Sequence, residues 1–568
     1  MQKIIILISI FFTSIIIVKS QDIEQVLKAK PVDISGGVNV NTGWYFVEGI
    51  ESGRDPYNWG INANLNINLY DVIDVPFSLV INKGDKKLNR PQYTNIGLSP
   101  KYKQYTLHLG YRSMQFSSYT YSGITFYGVG GEISPKNSII KNFSCFYGRF
   151  NEAVPVNFSK QDITPVYRRR GWGSKISLGK KGQNADFIIF KAIDDPETIN
   201  YYVDSVDIKP QENLALGIIT KNKITEKLSF HGEYTVSILS TDTRIQEKEG
   251  TENSFINETE LFKPRNTTAS HNAFAGGIDY QGNTYSVGLS YKRVDPEFKS
   301  LGTSYSTNDT EDWLINASKT FLDSKVNVNG SFGKQRNNLD KTKETKSIRN
   351  IYSCNVSYTP IESLNTSVNY SNFSSNTLPS VLYLNDSIKF IQTTTNKGFN
   401  VTYSFGKNNF RHYVNTSSNF QDAYTLNQTG QEKVSNESKV KSALLTYSLS
   451  VVPVAVTINT SMNYSVYDQD SINNITYGPT IGTGRPFFNK KVQMNISFSS
   501  LVQKTNNSQS SNVSVINFSC SYRFWKKHSL MLSNLISFRQ QPDSVQDQEN
   551  NSPNIREIRG SVRYSFSF

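Results

Sequence analysis

The chain ends on Glu557–Phe568, which reads EIRGSVRYSFSF. Ile558, Gly560, Val562, Tyr564, Phe566 and Phe568 share one parity. Glu557, Arg559, Ser561, Arg563, Ser565 and Ser567 share the other. Strict period-2 alternation marks a strand with one apolar and one polar face. A transmembrane β-barrel closes on such a strand, one face in lipid and the other on the lumen. The last strand of a soluble sandwich alternates in the same way, so the remainder of the chain has to decide.

The composition favours the barrel. Only 37% of the residues are hydrophobic, yet the chain holds 32 Tyr and 33 Phe. A soluble chain of 568 residues would show thicker apolar runs for its core. A barrel places one residue in two against lipid, so its average hydropathy stays low. Met1–Ser20 has the layout of a secretory signal: Lys3, the apolar run Ile4–Val18, and Ser20 before an expected cleavage at Gln21. No later run approaches the length of a helical span. The expected organisation is therefore a signal peptide over 1–20, a short periplasmic linker over 21–31, and a single antiparallel transmembrane β-barrel over 32–568, all-β and without an N-terminal plug domain.

The strand rhythm runs the whole way. Val32–Gly49 is the first plausible strand. Asn58–Leu69 is the clearest, with Trp59, Ile61, Ala63, Leu65, Ile67 and Leu69 alternating with Gly60 and five Asn residues. Tyr93–Leu98 should turn tightly at Ser99–Pro100. A loop rich in Tyr and Ser precedes Ile124–Ile133. The longest insertion, Ser240–Ser270, is polar and charged and belongs outside. Ser374–Asn396 reads as a long loop. The count is about 26 strands, or 24 if Tyr93–Leu98 and Ile475–Phe487 are dropped, and both lie in the range of known barrels. The closing strand should pair with Val32–Gly49 and leave no edge.

Parity assigns charges to the lumen. Trp172, Ile176 and Leu178 face lipid, which turns Arg169 and Lys175 inward. By the same rule His231, Glu233, Lys292, Arg559 and Arg563 line the lumen. A ring of cations there would favour anionic solutes, while Arg559 beside Glu557 would be a plain cross-linking pair. The run Tyr167–Arg170 lies near an outer rim and could grip the phosphate of a glycolipid. A solvated strand end explains that run too. The net charge of +13 comes with no nucleic-acid motif. Cys145, Cys354 and Cys520 are odd in number and widely spaced, so they form no disulfide framework and no metal site. The five histidines, His108, His231, His271, His412 and His528, sit in no nucleophile or metal motif. A triad assembled across strands would leave no such motif. No catalytic residue, metal or cofactor is assigned.

The mature chain resembles outer-membrane β-barrels of Bacteroidota. The terminal Tyr564-Ser565-Phe566-Ser567-Phe568, the leader and the Asn/Lys/Ile-rich style carry the likeness. Phe146-Tyr147-Gly148-Arg149-Phe150 and Tyr291-Lys292-Arg293-Val294-Asp295-Pro296 resemble stretches of a poorly characterised family of such barrels. The resemblance implies fold and outer-membrane location, and a last strand whose Tyr564, Phe566 and Phe568 are read by the barrel assembly machinery. It implies no activity. TonB-dependent receptors carry a plug before the barrel, and the short linker here leaves no room for one.

An unplugged barrel of this width would leak. Either its loops fold in, the barrel flattens, or a partner protein fills it. Two functions follow: a transport conduit gated by loops or a plugging partner, or a non-conducting scaffold for surface or periplasmic proteins. Outer-membrane lipid and glycolipid are expected partners in either case, and nucleic acid in neither.

Overall fold

A computed structural model describes residues 30–568 apart from 86, 89, 91, 156–163, 181, 200–207, 248–260, 305–306, 380–387, 430–431, 507 and 541–553. The expected signal peptide and nearly all of the linker lie outside the described residues. The wall is one sheet of 27 segments. Two of them, Tyr93–Leu98 and Lys101–Tyr102, lie end to end against Ile73–Asn82 and form one interrupted strand, so the barrel has 27 − 1 = 26 antiparallel strands. A further two-stranded ladder lies apart from the wall.

The seam closes as the alternation requires. Val32–Glu48 pairs on one side with Tyr57–Leu69 and on the other with Ile555–Ser567. Val38 stands opposite Phe566 and Val40 opposite Tyr564, while Asn39 meets Ser565 and Asn41 meets Arg563. Apolar meets apolar and polar meets polar, because a slip of one residue would turn every side chain to the wrong face. Tight turns such as Tyr70–Val72 and Leu322–Lys325 gather at one end, several with residues at positive φ. That end is periplasmic in barrels of this kind. It carries an exposed aromatic girdle that includes Tyr70, Phe321, Phe405, Phe410, Phe488 and Trp525, the last 81% exposed. A second row, with Trp59, Tyr127, Tyr147, Trp313, Phe332 and Tyr352, lies further up the wall. Two girdles around an apolar band are what a bilayer selects.

Two expectations are corrected. The strand does not turn at Ser99–Pro100. It continues to Tyr102 and turns at Lys103–Gln104, with Lys103 at φ 51°. Pro100 lacks an N–H and leaves a gap in the ladder, yet the Ser99 amide still donates to the Pro76 carbonyl at 2.8 Å and Pro100 still accepts from Leu107 at 2.9 Å. Nor is Ser374–Asn396 mostly loop. Leu364–Pro379 and Ile388–Phe405 pair as far up as Thr377 opposite Phe390. The neighbouring Phe410–Thr429 and Glu432–Val451 have 20 residues each. At ~3.3 Å per residue such strands run roughly 66 Å, well over the ~25 Å apolar band even when tilted. Their upper parts stand above the membrane and need no apolar face, so their Ser/Thr/Asn sequence looks like a loop.

Candidate functional site

Two segments at the long-loop end fold into the lumen. One, residues 113–125, follows the strand Tyr105–Arg112. The other, residues 295–304 and 307–309, follows Tyr285–Val294. They meet in a short parallel ladder, Gly302 with Tyr121 and Thr303 with Ser122. Ser300 Oγ donates to the Thr120 carbonyl at 2.6 Å, and the Leu301 amide donates to Asn213 Oδ1 at 3.1 Å. These partners come from strands far apart around the wall. Only a path through the lumen joins them.

Aromatic packing holds the segments there. Met114, Phe116, Tyr121 and Leu301 pack on Phe126, Phe146, Ile188, Phe190, Ala192, Ala215 and Leu239 from the inner wall. Tyr121 stacks on Phe190 with ring centroids 5.5 Å apart, and Phe126 stacks on Phe146 at 4.7 Å. Each fully buried ring contributes about 1.5–3 kcal/mol. Tyr119, Phe298, Ala273 and Val294 form a second cluster beside the first. At Gly302 a Cβ would sit 2.4 Å from the Thr120 carbonyl oxygen and 2.7 Å from the Phe190 ring, so only glycine lets the segments approach this closely. Burial raises the Tyr119 and Tyr121 phenols above their ordinary range, and for Tyr119 the Glu233 and Asp312 carboxylates add to it. Both hydroxyls stay neutral at physiological pH.

Three of the charges that parity turns inward touch these segments. Lys175 Nζ donates to the Gln115 carbonyl at 3.3 Å and lies 5.5 Å from the centre of the Phe116 ring. Glu233 accepts from the Tyr119 amide at 3.3 Å. Lys292 Nζ lies 3.5 Å from Thr307 Oγ1. Arg169 instead forms a two-pronged bond to Asp194 of the wall, 2.7 and 3.0 Å; burial, and after it the nearby Arg169 charge, lower the pKa of Lys299 in the second segment. Away from the segments, His231 Nδ1 is 3.1 Å from Asp279. Arg559 pairs with Glu557 and lies over the Tyr45 ring, and Arg563 stands opposite Asn41 and Met531. The described charges that touch the inward segments anchor them, and each already has a partner.

The opposite wall differs. Among the described residues from Leu364 to Phe524, its inward parity is dominated at membrane depth by Asn, Ser, Thr and Gly, with Leu444 and Val515 among the exceptions and Arg411 and Arg523 near the short-turn end. A concavity of about 930 Å³ there is lined by Thr457, Asn459, Ser461, Asn495, Ser497, Asn517 and their neighbours, with Arg559 its one charged lining residue. A second, of about 440 Å³, is lined by Asn369, Asn400, Ser417, Asn419, Ser442, Asn463 and others, none of them charged. Hydroxyls bond across strands, as in Thr480 to Ser499 at 2.9 Å and Ser533 with Ser561 at 2.7 Å. Much of the wall's hydrogen-bonding capacity is thereby satisfied within the wall.

The described part of Ser240–Ser270 lies on the outside, where Phe262 packs on Leu214 and Ile238 of the outward face. Glu212 is held there by Lys191 at 3.0 Å and Arg265 at 2.7 Å. Of the two stretches that do enter the lumen, the first is the Tyr/Ser-rich stretch 113–125. Its aromatic density, in a place where a solvated loop would be polar, was the available sign. The fold also joins three residues that no motif links. Ser99 Oγ is 2.8 Å from His108 Nδ1, and His108 Nε2 is 3.2 Å from Glu132. The Ser99 amide is already committed to Pro76, which removes it as an oxyanion donor. The three residues tie neighbouring strands together. Cys145, Cys354 and Cys520 are free thiols.

No protein-family model matches the chain, and no curated protein matches it. Among solved structures it is similar to the translocation pore of the P pilus usher PapC, with 11% identity and a TM-score of 0.36, over 94% of this chain and 99% of that one. It is similar to the FrpB iron transporter of Neisseria meningitidis, with 13% identity and a TM-score of 0.37, over 96% and 82%. OccAB2 of Acinetobacter baumannii shares 8% identity at a TM-score of 0.28, over 63% and 93%. At these scores the likeness concerns barrel architecture alone.

Proposed function

We propose that the chain is a conduit across the outer membrane, with flux along the sparsely charged wall that faces the two inward segments. The observation that carries this reading is the predominance of Asn, Ser and Thr in the lining of the 930 Å³ concavity. A pore has to let its cargo leave, so it needs weak and repeated contacts. A wall whose hydroxyls bond one another offers such contacts and little charge. The inward segments then narrow the lumen, so that a wide barrel need not leak. Solutes or a larger exported molecule fit this arrangement.

A secreted precursor, a Bacteroidota-type origin, and assembly through Tyr564, Phe566 and Phe568 are part of the same proposal, supported by the sequence pattern. Single-channel recording of the purified protein in planar bilayers tests it. A stable conductance with a cation-to-anion permeability ratio near one is expected. An electrically silent barrel that co-purifies with a lumen-sized partner would replace the conduit with a scaffold.

A further inference from the structure

The pleat splits the run Arg168-Arg169-Arg170. Arg169 turns into the lumen toward Asp194, while Arg168 and Arg170 point outward. The cross-strand partner of Arg170 is Arg149, and Arg149 in turn stands opposite Tyr127. Three guanidinium groups and the Tyr127 and Tyr147 rings therefore line one concavity of about 360 Å³ on the outer wall. Its two tyrosines are each 50% exposed and belong to the upper girdle. The arginines lie just above them, at the depth of lipid headgroups.

The described neighbours neutralise this cluster only in part. Arg149 bonds Glu152 at 3.2 Å and lies 5.3 Å from the centre of the Tyr127 ring. Arg168 reaches Asp195 at 3.4 Å, and its Nε is buried without a hydrogen-bond partner. Arg170 has no carboxylate partner among the described residues. Like charges in register repel, and a buried guanidinium N–H without an acceptor is costly. One bound anion would offset the repulsion. Guanidinium forks match phosphate oxygens in pairs, and the rings and Val129 below offer an apolar surface to acyl chains.

We propose that Arg149, Arg168 and Arg170 bind a phosphate group of a phosphorylated glycolipid in the outer leaflet. The site is on the membrane side of the wall and does not depend on the conduit reading. Native mass spectrometry of the detergent-purified barrel tests it, with a bis-phosphorylated lipid A, its dephosphorylated counterpart and inorganic phosphate as separate probes. The phosphorylated lipid should be retained at least about tenfold better than the dephosphorylated one, and the double variant Arg149→Ala/Arg170→Ala should lose that preference. Lys504→Ala, a cation over the Tyr477 ring on the far wall, should keep it. Heat-modifiable gel migration shows that each variant is folded. Equal retention of the two lipids overturns the proposal, as does an equal loss in Lys504→Ala. Complete displacement of the lipid by millimolar inorganic phosphate would assign the site to the free ion instead.

Discussion

The two sides of this barrel solve the same lipid problem and opposite lumen problems. Outward, both show the same row: Tyr127, Phe187 and Trp313 on one side, Phe399, Tyr447 and Phe498 on the other, all exposed. Inward, Phe126, Phe146 and Phe190 are fully or almost fully buried under the entering segments, whereas Asn459, Ser497 and Asn517 line open space. The lipid-facing parity is thus set by the bilayer and says little about function. The lumen-facing parity is free to vary, and its change around the ring records what each side touches.

If the occluded side is what narrows the pore, removing its filling should matter most. Replacing Gln115–Ser122 by a short Gly/Ser link deletes the first inward segment and its ladder to Gly302. Conductance should rise at least about twofold, since cross-section grows when side chains no longer fill it. Shortening the tall hairpin between Phe410–Thr429 and Glu432–Val451 above the membrane should leave conductance unchanged. Equal conductances in the two deletions would break the comparison.

Next in size is the energetic contrast. Phe190→Ala empties a fully buried position and should cost about 3–5 kcal/mol. Urea unfolding, or proteolysis of the inward segments in the folded barrel, would read it. Asn517→Ala in the open wall should stay within ~0.5 kcal/mol. If Asn517→Ala cost as much as Phe190→Ala, the open wall would be packed against something after all.

The same contrast explains what was legible beforehand. Closure of the seam, strand number and lipid-facing rows follow from alternation, because the bilayer enforces it on every strand. The inward segments were harder to see. Their anchor is long-range, and the charges that hold them, Lys175 and Glu233, look like any lumen residue along their own strands. Yet one clue was local. Phe187-Ile188-Ile189-Phe190 is apolar on both parities. A barrel strand needs that only when its lumen face is covered as well as its lipid face. The tall strands were missed for the converse reason, since above the membrane neither face has to be apolar. Ser99, His108 and Glu132 could not be joined in advance, because only cross-strand register brings them together.

Charge should separate the sides in a different currency. Ser519→Glu places a carboxylate in the concavity whose one charged lining residue is Arg559, and the reversal potential in a salt gradient should shift toward cation selectivity. Arg169→Gln removes a cation whose partner, Asp194, is only 3% exposed. An abandoned buried carboxylate costs about 3–5 kcal/mol, so that variant should lose stability with little change in selectivity. A large shift in selectivity from Arg169→Gln would mean that ions pass on the occluded side.

The smallest effect concerns the stem of the second inward segment. Asp309 is 2% exposed there, pairs with Lys343, and accepts from the Leu339 amide at 2.8 Å. Burial alone would raise its carboxyl, but the Lys343 ammonium and the Leu339 and Asn338 amides outweigh it, and the pKa lies below the ordinary value. A carboxyl depressed by folding contributes stability above its unfolded pKa of about 3.9 and loses it as pH falls through the lower folded value. The anchor should therefore be constant from neutral pH down to about pH 5 and weaken below about pH 4. Asp309→Asn keeps the shape and removes the charge at every pH. Proteolysis of residues 295–309 should be faster in Asp309→Asn than in the wild type at pH 7, and the two rates should converge in acid. Rates that stay equal at pH 7 would show that the aromatic cluster, without this ion pair, holds the segment in the lumen.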